Sequence, residues 1–251
     1  MELEFAQATD CGRIRDHNED YMGCALPETA EREQTHGWLF ALADGVGGQE
    51  QGEVASRTAV ETLLAEFRRA GRDQPLRALM PRLVQSANEK VFETGLAAKP
   101  RGAAMATTLV ACALRYDRAV ISHVGDSRCY LLRGGRARVL TRDHTAGGGA
   151  ETRQVLTRSL GSAMFVGTDT AEHLVLAGDV LLLSSDGLHG ALAGAEIAEI
   201  AMREADLETA ARELVDAAKD RDGSDNISVQ LIRVRSVERI GIYRGRPYKL
   251  A

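Results

Sequence analysis

The sequence lacks several patterns that would assign its class directly, and each missing pattern excludes a kind of protein. No apolar stretch in its 251 residues approaches the roughly 20 residues that a membrane-spanning helix needs. Its four cysteines form no C-x-x-C pair, which excludes zinc-ribbon and thioredoxin motifs. A GxGxxG loop and a Walker lysine are also missing, which argues against a nucleotide-binding site.

The sequence also lacks an excess of positive charge. The chain has 31 basic and 36 acidic residues and a formal net charge of −5, which argues against a general nucleic-acid-binding protein. The first residues, MELEF, lack the basic and apolar regions of a secretory signal, so we expect a cytoplasmic protein. The length and a hydrophobic content of 44% fit one large domain. We assign this domain to residues 1–235 and expect a short basic tail over 236–251.

Hydrophobic periodicity predicts a fold of mixed helices and strands. Helices are predicted over 53–70, 195–205 and 207–221, and over 76–91 with either a kink at Pro81 or a division there into two shorter helices. Strands are predicted over 4–9, 37–43, 107–115, 119–124, 128–133, 136–140, 173–176, 180–185 and 227–234. The polar segment 26–36 is predicted to be a loop. Strand-rich segments at both ends of the chain, with helix pairs between them, favour an α+β fold over alternating βαβ units.

What the sequence does contain is a set of carboxylates beside predicted strands. These are the segment RDHNED at 15–20, the pairs Asp44-Gly45, Asp186-Gly187 and Asp225-Asn226, and Asp126 within GDSR at 125–128. An unpaired buried carboxylate costs several kcal/mol, so such clusters usually hold cations or stay in water. Hard oxygen ligands without Cys or His spacing favour Mg²⁺ or Mn²⁺. The pattern therefore predicts a metal-dependent hydrolase.

Taken one at a time, these acids also fit roles that need no metal. Asp-Gly pairs are common in turns, and Asp126 could be an ion-paired hairpin residue. An EF-hand starting at Asp220 is excluded because its sixth position is not Gly and its twelfth is Leu231. Cys112 and Arg118 have the C-x₅-R spacing of cysteine phosphatases, but a predicted strand and turn separate them instead of an anion-binding loop. We expect all four cysteines to be inert thiols and His144 to be a structural histidine.

Read in order, the motifs resemble the metal-dependent protein phosphatase family, the type 2C or PPM class, in its bacterial branch. The matches are TD at 9–10 with Gly12, RDHNED at 15–20, DGVGG at 44–48, TTLV at 107–110, GDSR at 125–128, DHT at 143–145, SDGL at 185–188 and SDN at 224–226. They cover nearly the whole chain. The resemblance implies a four-layer α-β-β-α sandwich of two mainly antiparallel sheets flanked by helix pairs. It also implies hydrolysis of phosphoserine and phosphothreonine in proteins by a water that two divalent ions activate.

The resemblance assigns a role to each matching site residue. Asp44 would bridge two Mn²⁺ or Mg²⁺ ions, and Arg15 would grip the phosphoryl oxygens. Asp186 and Asp225 would complete one ion, while the Gly45 carbonyl would help to hold the other.

Further roles and two departures also follow from the motif positions. Glu19 and Asp20 would bind the ions directly or through waters, and Asp126 would hold a third, weaker ion together with Asp186. Val46 stands where some relatives carry a His proposed as general acid. Gly190 stands where some relatives place another acidic ligand of the third ion, which leaves that ion open.

A third departure concerns the flap that relatives carry after DHT, which a short segment over 146–151 replaces here. A trimmed flap predicts an open site and altered substrate choice. The expected partners are phosphorylated proteins that a serine/threonine kinase produces, with no nucleic acid and no membrane, and the expected state is a monomer. Two alternatives stay open: a catalytically silent scaffold that binds phosphoproteins, and a hydrolase of small phosphoesters.

Overall fold

Two five-stranded antiparallel sheets lie at the centre of the computed structural model. The first sheet has the order β1 (Glu2–Asp10), β12 (Ile227–Ser236), β11 (Val180–Ser184), β6 (Arg128–Arg133) and β7 (Arg136–Val139). The second has the order β10 (Asp169–Leu174), β5 (Arg118–Val124), β4 (Leu109–Arg115), β3 (Trp38–Asp44) and β2 (Asp20–Ala25). The inner faces of the two sheets share one apolar cluster that includes Phe40, Leu42, Leu181 and Ile232.

The structure describes residues 1–46, 51–72, 74–98, 105–147 and 155–238, and the backbone of 240–243 and 246–249. Within the basic segment predicted for 236–251, β13 (Ile240–Tyr243) and β14 (Arg246–Lys249) pair as an antiparallel hairpin. Gly47 and Gly48 of the predicted DGVGG turn lie outside the described residues, as do residues 148–151 of the predicted short flap.

Helices cover the outer face of each sheet. The helices are α1 (Ala30–Thr35), α2 (Gly52–Arg69), α3 (Leu76–Ala98), α4 (Asp186–Ala191), α5 (Gly194–Arg203) and α6 (Leu207–Arg221). The pair α2 and α3 packs on the second sheet, and α4, α5 and α6 pack on the first. The predicted order of layers, helix, sheet, sheet, helix, is therefore confirmed. None of the described helices has both the length and the apolar character needed to cross a bilayer.

The alternation of side chains along β3 fixes how the layers stack. Phe40 and Leu42 point to the other sheet, whereas Leu39, Ala41 and Ala43 point to α2 and α3. Because side chains along a strand alternate between faces, a slip of one residue would reverse both sets. The strand therefore ends at Asp44 in one defined register.

Several elements differ from the sequence prediction. The segment 26–36 contains α1, whose first turn is capped by Thr29 accepting from the Arg32 N–H, and α4 also escaped prediction. The short edge strand β2 was missed because its sequence, DYMGCA, shows no alternation. The edge strand β10 begins before the predicted segment 173–176 because polar residues form most of it. Finally, α3 continues through Pro81 to Ala98, because the buried face that includes Met80 and Val84 holds it against the second sheet.

Candidate metal centre

Strand ends from both sheets bring the predicted acids to one end of the sandwich. Asp44 is the last residue of β3 and pairs across the sheet with Asp20, the first residue of β2. In the other sheet, Asp186 begins α4 just after β11, and Asp225 lies two residues before β12. Asp126, in the turn between β5 and β6, interacts electrostatically with Asp44 and Asp186.

Hydrogen bonds join the two sheets directly at these acids. The Ser185 hydroxyl donates to Oδ2 of Asp20 over 2.8 Å and accepts from the Ser228 N–H over 2.9 Å. The Asp186 and Asp44 carboxyls lie close enough to interact electrostatically. The acids of one sheet are thus held against those of the other. Sequence reasoning gave Ser185 and Ser228 no role, because their partners belong to distant segments.

Two threonines fix the backbone of Asp44. Its carbonyl accepts from the Thr108 N–H and the Thr107 hydroxyl, both over 2.8 Å, and its N–H donates to Oγ1 of Thr108 over 3.0 Å. Gly45 packs so closely on Gly52 that an added Cβ would lie 2.5 Å from the backbone of Gly52. Among the described residues, no hydrogen bond uses the Gly45 carbonyl, so its oxygen is available to a ligand.

Arg15 lies at the edge of the acids, on a loop that Asn226 holds in place. The guanidinium of Arg15 donates to Oδ2 of Asp225 over 2.7 Å. The Asn226 side chain accepts from the Glu19 N–H over 2.8 Å and donates to the carbonyls of Cys11 and His17 over 3.0 and 2.9 Å. The motif SDN contained Asn226, but its role depends on contacts that sequence spacing does not show.

Burial and mutual repulsion raise the pKa values of these carboxyls. The carboxyls are half-buried, enclosed by protein on most sides. Burial, followed by repulsion from Asp20 and Asp186, holds the pKa of Asp44 well above its ordinary value. Burial raises the pKa of Asp20 to about 7 and that of Asp126 to about 6. Burial likewise raises the pKa of Glu19 and of Asp186. The cluster therefore carries more negative charge than Arg15 can balance.

This donor set fits divalent cations of the hard type. Oδ1 of Asp20 is buried and finds no hydrogen-bond partner among the described residues, which is costly unless a cation or water reaches it. The group offers only oxygen atoms, the ligands that Mg²⁺ and Mn²⁺ prefer. Cations here would relieve the repulsion that the raised pKa values record.

A second cluster, of His123, His144 and Asp169, has the composition of a metal site but the contacts of a hydrogen-bonded brace. The two imidazole rings are stacked at 4.8 Å with 16° between their planes. Since nitrogen lone pairs lie in the ring plane, stacked rings cannot direct both at one ion. Nδ1 of His144 accepts from the Gly125 N–H, and Nη1 of Arg158 is 2.9 Å from Oδ1 of Asp169. The prediction of a structural His144 agrees with this geometry.

The remaining expectations concern cysteines and the departures from the motif pattern. Cys112 is fully buried in β4, and burial raises the pKa of its thiol well above the ordinary value. Arg118 pairs with Asp117 and not with an anion loop, so rejecting a cysteine phosphatase was correct. Gly190 is exposed, and an added Cβ there would meet no atom within 4 Å.

Comparisons with known proteins support the same interpretation. The Protein phosphatase 2C family matches residues 16–231. A serine/threonine phosphatase stp from Listeria innocua is 32% identical, with 92% of this chain and 95% of the relative covered. The structure of the Streptococcus agalactiae serine/threonine phosphatase is 31% identical with a TM-score of 0.79, covering 93% of this chain and 100% of that one. The catalytic domain of the serine/threonine phosphatase PstP, solved with 2 manganese ions, is 29% identical with a TM-score of 0.76, covering 92% and 97%. The chain therefore belongs to the protein phosphatase 2C family.

Proposed function

We propose that this chain hydrolyses phosphoserine and phosphothreonine in proteins at the carboxylate cluster between its two sheets. One observation carries the proposal. Acids from both sheets meet at one end of the sandwich with excess negative charge, and the guanidinium of Arg15 lies beside them. Cations bound by the acids and a neighbouring arginine together form a site for a phosphate dianion.

Asp44, Asp186, Asp225 and the Gly45 carbonyl are the groups that we propose hold two Mn²⁺ or Mg²⁺ ions. Asp44 lies between the acids of the two sheets, which suits a bridging ligand. When bound, such a pair of ions activates a water and neutralises the charge that develops on the phosphoryl oxygens. That the PstP catalytic domain was solved with 2 manganese ions supports this assignment.

Glu19, Asp20 and Asp126 complete the proposed site. Glu19 and Asp20 contribute negative charge around the ions, directly or through waters. Asp126 is proposed to hold a third, weaker ion with Asp186, which is the largest source of repulsion at Asp126.

Arg15 is proposed to bind the phosphoryl group of the substrate. Its Nη2 donates to Asp225, and its side chain is 32% exposed, so a phosphate at the edge of the cluster can reach the other nitrogens. A planar guanidinium offers two parallel hydrogen bonds to phosphate oxygens, which a lysine cannot reproduce. In the reaction water adds to phosphorus, the bond from phosphorus to the Ser or Thr oxygen breaks, and that oxygen takes up a proton that comes from water. The valine at position 46 has no proton to give to the leaving oxygen.

Phosphorylated proteins are the substrates that this family implies, and we propose that a serine/threonine kinase of the same cell produces them. A monomeric, cytoplasmic enzyme with its phosphatase domain over residues 1–235 and a basic tail over 236–251 remains our prediction. The side chains of the tail's basic residues, Arg239, Arg244, Arg246 and Lys249, lie outside the described part of the chain.

The test is phosphate release from phosphothreonine peptides with Mn²⁺, measured beside a small aryl phosphate under the same conditions. We expect turnover of the peptide that chelation of Mn²⁺ stops. Asp44→Asn should reduce it by about 100- to 1000-fold, the typical cost of removing a central electrostatic group. Glu208→Gln, on the exposed face of α6, is the matched loss of one carboxylate and should keep full activity. Arg15→Lys should lower kcat/KM relative to Glu208→Gln, because the lysine keeps the charge but loses the paired hydrogen bonds to phosphate.

Three outcomes would count against the proposal. Folded, Mn²⁺-loaded protein that releases no phosphate from any phosphopeptide contradicts it and favours the scaffold. Turnover of the aryl phosphate far above that of every peptide favours a small-phosphoester hydrolase. Equal activity in Asp44→Asn and Glu208→Gln would remove the carboxylate cluster from the reaction.

A further inference from the structure

His144 makes two hydrogen bonds to a single residue next to the proposed site. Its backbone N–H donates to the Gly125 carbonyl over 3.0 Å, and Nδ1 of its ring accepts from the Gly125 N–H over 3.1 Å. Both polar atoms of Gly125 are thereby satisfied by one residue. Gly125 is buried and has φ of +103°, a conformation that needs glycine. The turn that presents Asp126 thus depends on His144 for its hydrogen bonds.

The other side of the same turn is tied to the centre of the proposed site. The Ser127 hydroxyl lies 2.6 Å from the Thr108 hydroxyl, and Thr108 also bonds the backbone N–H of Asp44. An added Cβ at Gly125 would lie 2.7 Å from the Thr108 side chain, so the turn has no room to move toward β4. Asp126 is therefore held between Thr108 on one side and His144 on the other.

The imidazole also connects this turn to the segment that follows it. Because Nδ1 accepts a hydrogen bond, the ring proton is on Nε2, which lies 3.3 Å from Oδ2 of Asp169. Arg158 holds the other oxygen of Asp169 at 2.9 Å. The His144 carbonyl accepts from the Thr157 N–H over 2.8 Å.

The short strands β8 (Thr145–Ala146) and β9 (Val155–Leu156) pair directly beyond these contacts. The residues on either side of this pair, His144 and Thr157, are joined by the hydrogen bond from the Thr157 N–H to the His144 carbonyl. The ring lies where the β8–β9 pair, the edge strand β10 and the Asp126 turn meet.

We propose that His144 is a positioning residue that orients the Asp126 carboxylate through Nδ1 and holds the base of the β8–β9 pair against β10 through Nε2. The inference rests on the proposed function, since it takes Asp126 to be an ion ligand. Removing the Nδ1 acceptor would leave the Gly125 N–H buried without a partner, and the peptide unit would rotate to find one. Asp126, the next residue, would move with it, whereas Asp44 and Asp225 would keep their own supports.

Two substitutions separate the two nitrogens of the ring. In His144→Asn the side-chain oxygen takes the place of Nδ1 and keeps an acceptor for Gly125, but the side chain no longer reaches Asp169. In His144→Gln the amide nitrogen takes the place of Nε2 and keeps the donor to Asp169, but the acceptor for Gly125 is lost. A structural role alone would make the two variants similar, because each retains one of the two contacts.

The experiment measures Mn²⁺ binding by electron paramagnetic resonance of free Mn²⁺, together with kcat and KM as functions of Mn²⁺ concentration. We expect His144→Gln to weaken the weakest Mn²⁺ equilibrium about 10-fold, the lower end of the effect of losing an outer support of a metal ligand. His144→Asn should bind Mn²⁺ like the wild type. Asp169→Ala, which removes the acceptor of Nε2 and leaves Gly125 its own acceptor, should behave like His144→Asn.

A double-mutant cycle with Asp126→Asn decides whether His144 acts through Asp126. Once Asp126→Asn has removed the carboxylate, His144→Gln should cause no further loss of Mn²⁺ affinity, because residues that act as a unit are not additive. Additive losses would overturn the inference. So would weaker Mn²⁺ binding in His144→Asn than in His144→Gln, and this result remains decisive if circular dichroism shows either Asp126 variant to be unfolded.

The failure of this inference differs from failure of the proposed function. If Asp126→Asn weakens Mn²⁺ binding and His144→Gln does not, only the inference is wrong. If Asp126→Asn leaves every Mn²⁺ equilibrium unchanged, Asp126 is not a ligand and the inference is overturned as well. Phosphopeptide turnover, which depends on Asp44, still tests the enzyme in both cases.

Discussion

Asp20 shows how a single residue can serve the site at the expense of stability. One of its oxygens accepts from Ser185, and the other is buried without a hydrogen-bond partner among the described residues. Burial raises its pKa to about 7, and repulsion from Asp186 and Asp225 adds to this. The fold holds the carboxylate where a cation can use it, and without the cation the charge opposes folding.

A pH-dependent loss of stability follows in the metal-free protein. The pKa of Asp20 rises from 3.8 in the unfolded chain to about 7 in the fold, so between these values the folded state binds the extra proton. Stability from this residue is then full below pH ~4 and is lost as the pH rises toward 7. We expect the advantage of Asp20→Asn in the free energy of unfolding to grow from near zero at pH ~4 to on the order of 2–4 kcal/mol near pH 7. Urea unfolding in EDTA measures it.

The comparison with the variant is necessary because histidines act in the opposite sense over an overlapping range. Burial lowers the pKa of His189 to about 3 and also lowers those of His123 and His173. The stability that these neutral histidines contribute to the fold is therefore lost as the pH falls below about 6.5. They contribute equally to both proteins and cancel in the difference. A difference between Asp20→Asn and wild type that does not change from pH 4 to 7 would contradict the prediction.

The acids of the site could be predicted from the sequence, but their supports could not. Asp44, Asp186 and Asp225 stand at the ends of apolar runs, where a carboxylate is out of place unless it binds something. Ser185 and Thr108 are ordinary hydroxyl residues, and their value depends on partners that lie in distant segments. Only the relative position of the two sheets shows which hydroxyl meets which acid.

Among the elements, the junction of α4 with the loop before β12 is the most tightly constrained. A Cβ at Gly187 would lie 2.1 Å from the Asn226 carbonyl oxygen, and one at Gly12 would lie 2.3 Å from that of Asp225. These two glycines let three segments approach within van der Waals distance. The positions of Asp186 and Asp225 relative to each other depend on that approach.

Gly187→Ala is therefore predicted to separate Asp186 from Asp225 and to lower activity by about 100-fold, the cost of misplacing a reacting group by about 1 Å. The loss of stability should be about 1–3 kcal/mol, as for other overpacked sites. Gly190→Ala, in the same helix, is the matched control because its added Cβ meets no atom within 4 Å. It should leave activity unchanged and stabilise the helix by about 0.5–1 kcal/mol. Steady-state kinetics and thermal unfolding measure both.

Equal effects of these two alanine variants would show that the junction tolerates movement.

How well each helix or strand could be predicted depends on how much of it is buried. Strands such as β11, whose five residues are all buried, were visible as apolar runs. The edge strand β2 was missed, and only the end of β10 was predicted, because polar and small residues suffice where one side faces solvent. The brief helix α1 has no buried residue, so no apolar period marks it.

For the molecule as a whole, the site is also the place where the two sheets are hardest to hold together. The inner faces pack through apolar side chains along most of their length, but at this end carboxylates of β2 and β3 face those of the segments around β11 and β12. The hydrogen bond from the Ser185 hydroxyl to Asp20 crosses between the sheets at this end and opposes the repulsion. Cations between the sheets would convert a repulsive contact into an attractive one.

Mn²⁺ is accordingly predicted to stabilise the whole sandwich and not only its loops. At a Mn²⁺ concentration about 100 times the dissociation constant, a single site raises the free energy of unfolding by about 2.7 kcal/mol. Hydrogen exchange should slow at the ends of β3 and β11 together, since a shared ligand set couples them.

In Asp44→Asn the metal-free protein should be more stable than wild type, because one repelling charge is gone, and Mn²⁺ should add little. If Mn²⁺ stabilises both proteins equally, or slows exchange in only one sheet, the ions do not bridge the sheets through Asp44. The coupling between metal binding and the sandwich would then have to come from other residues.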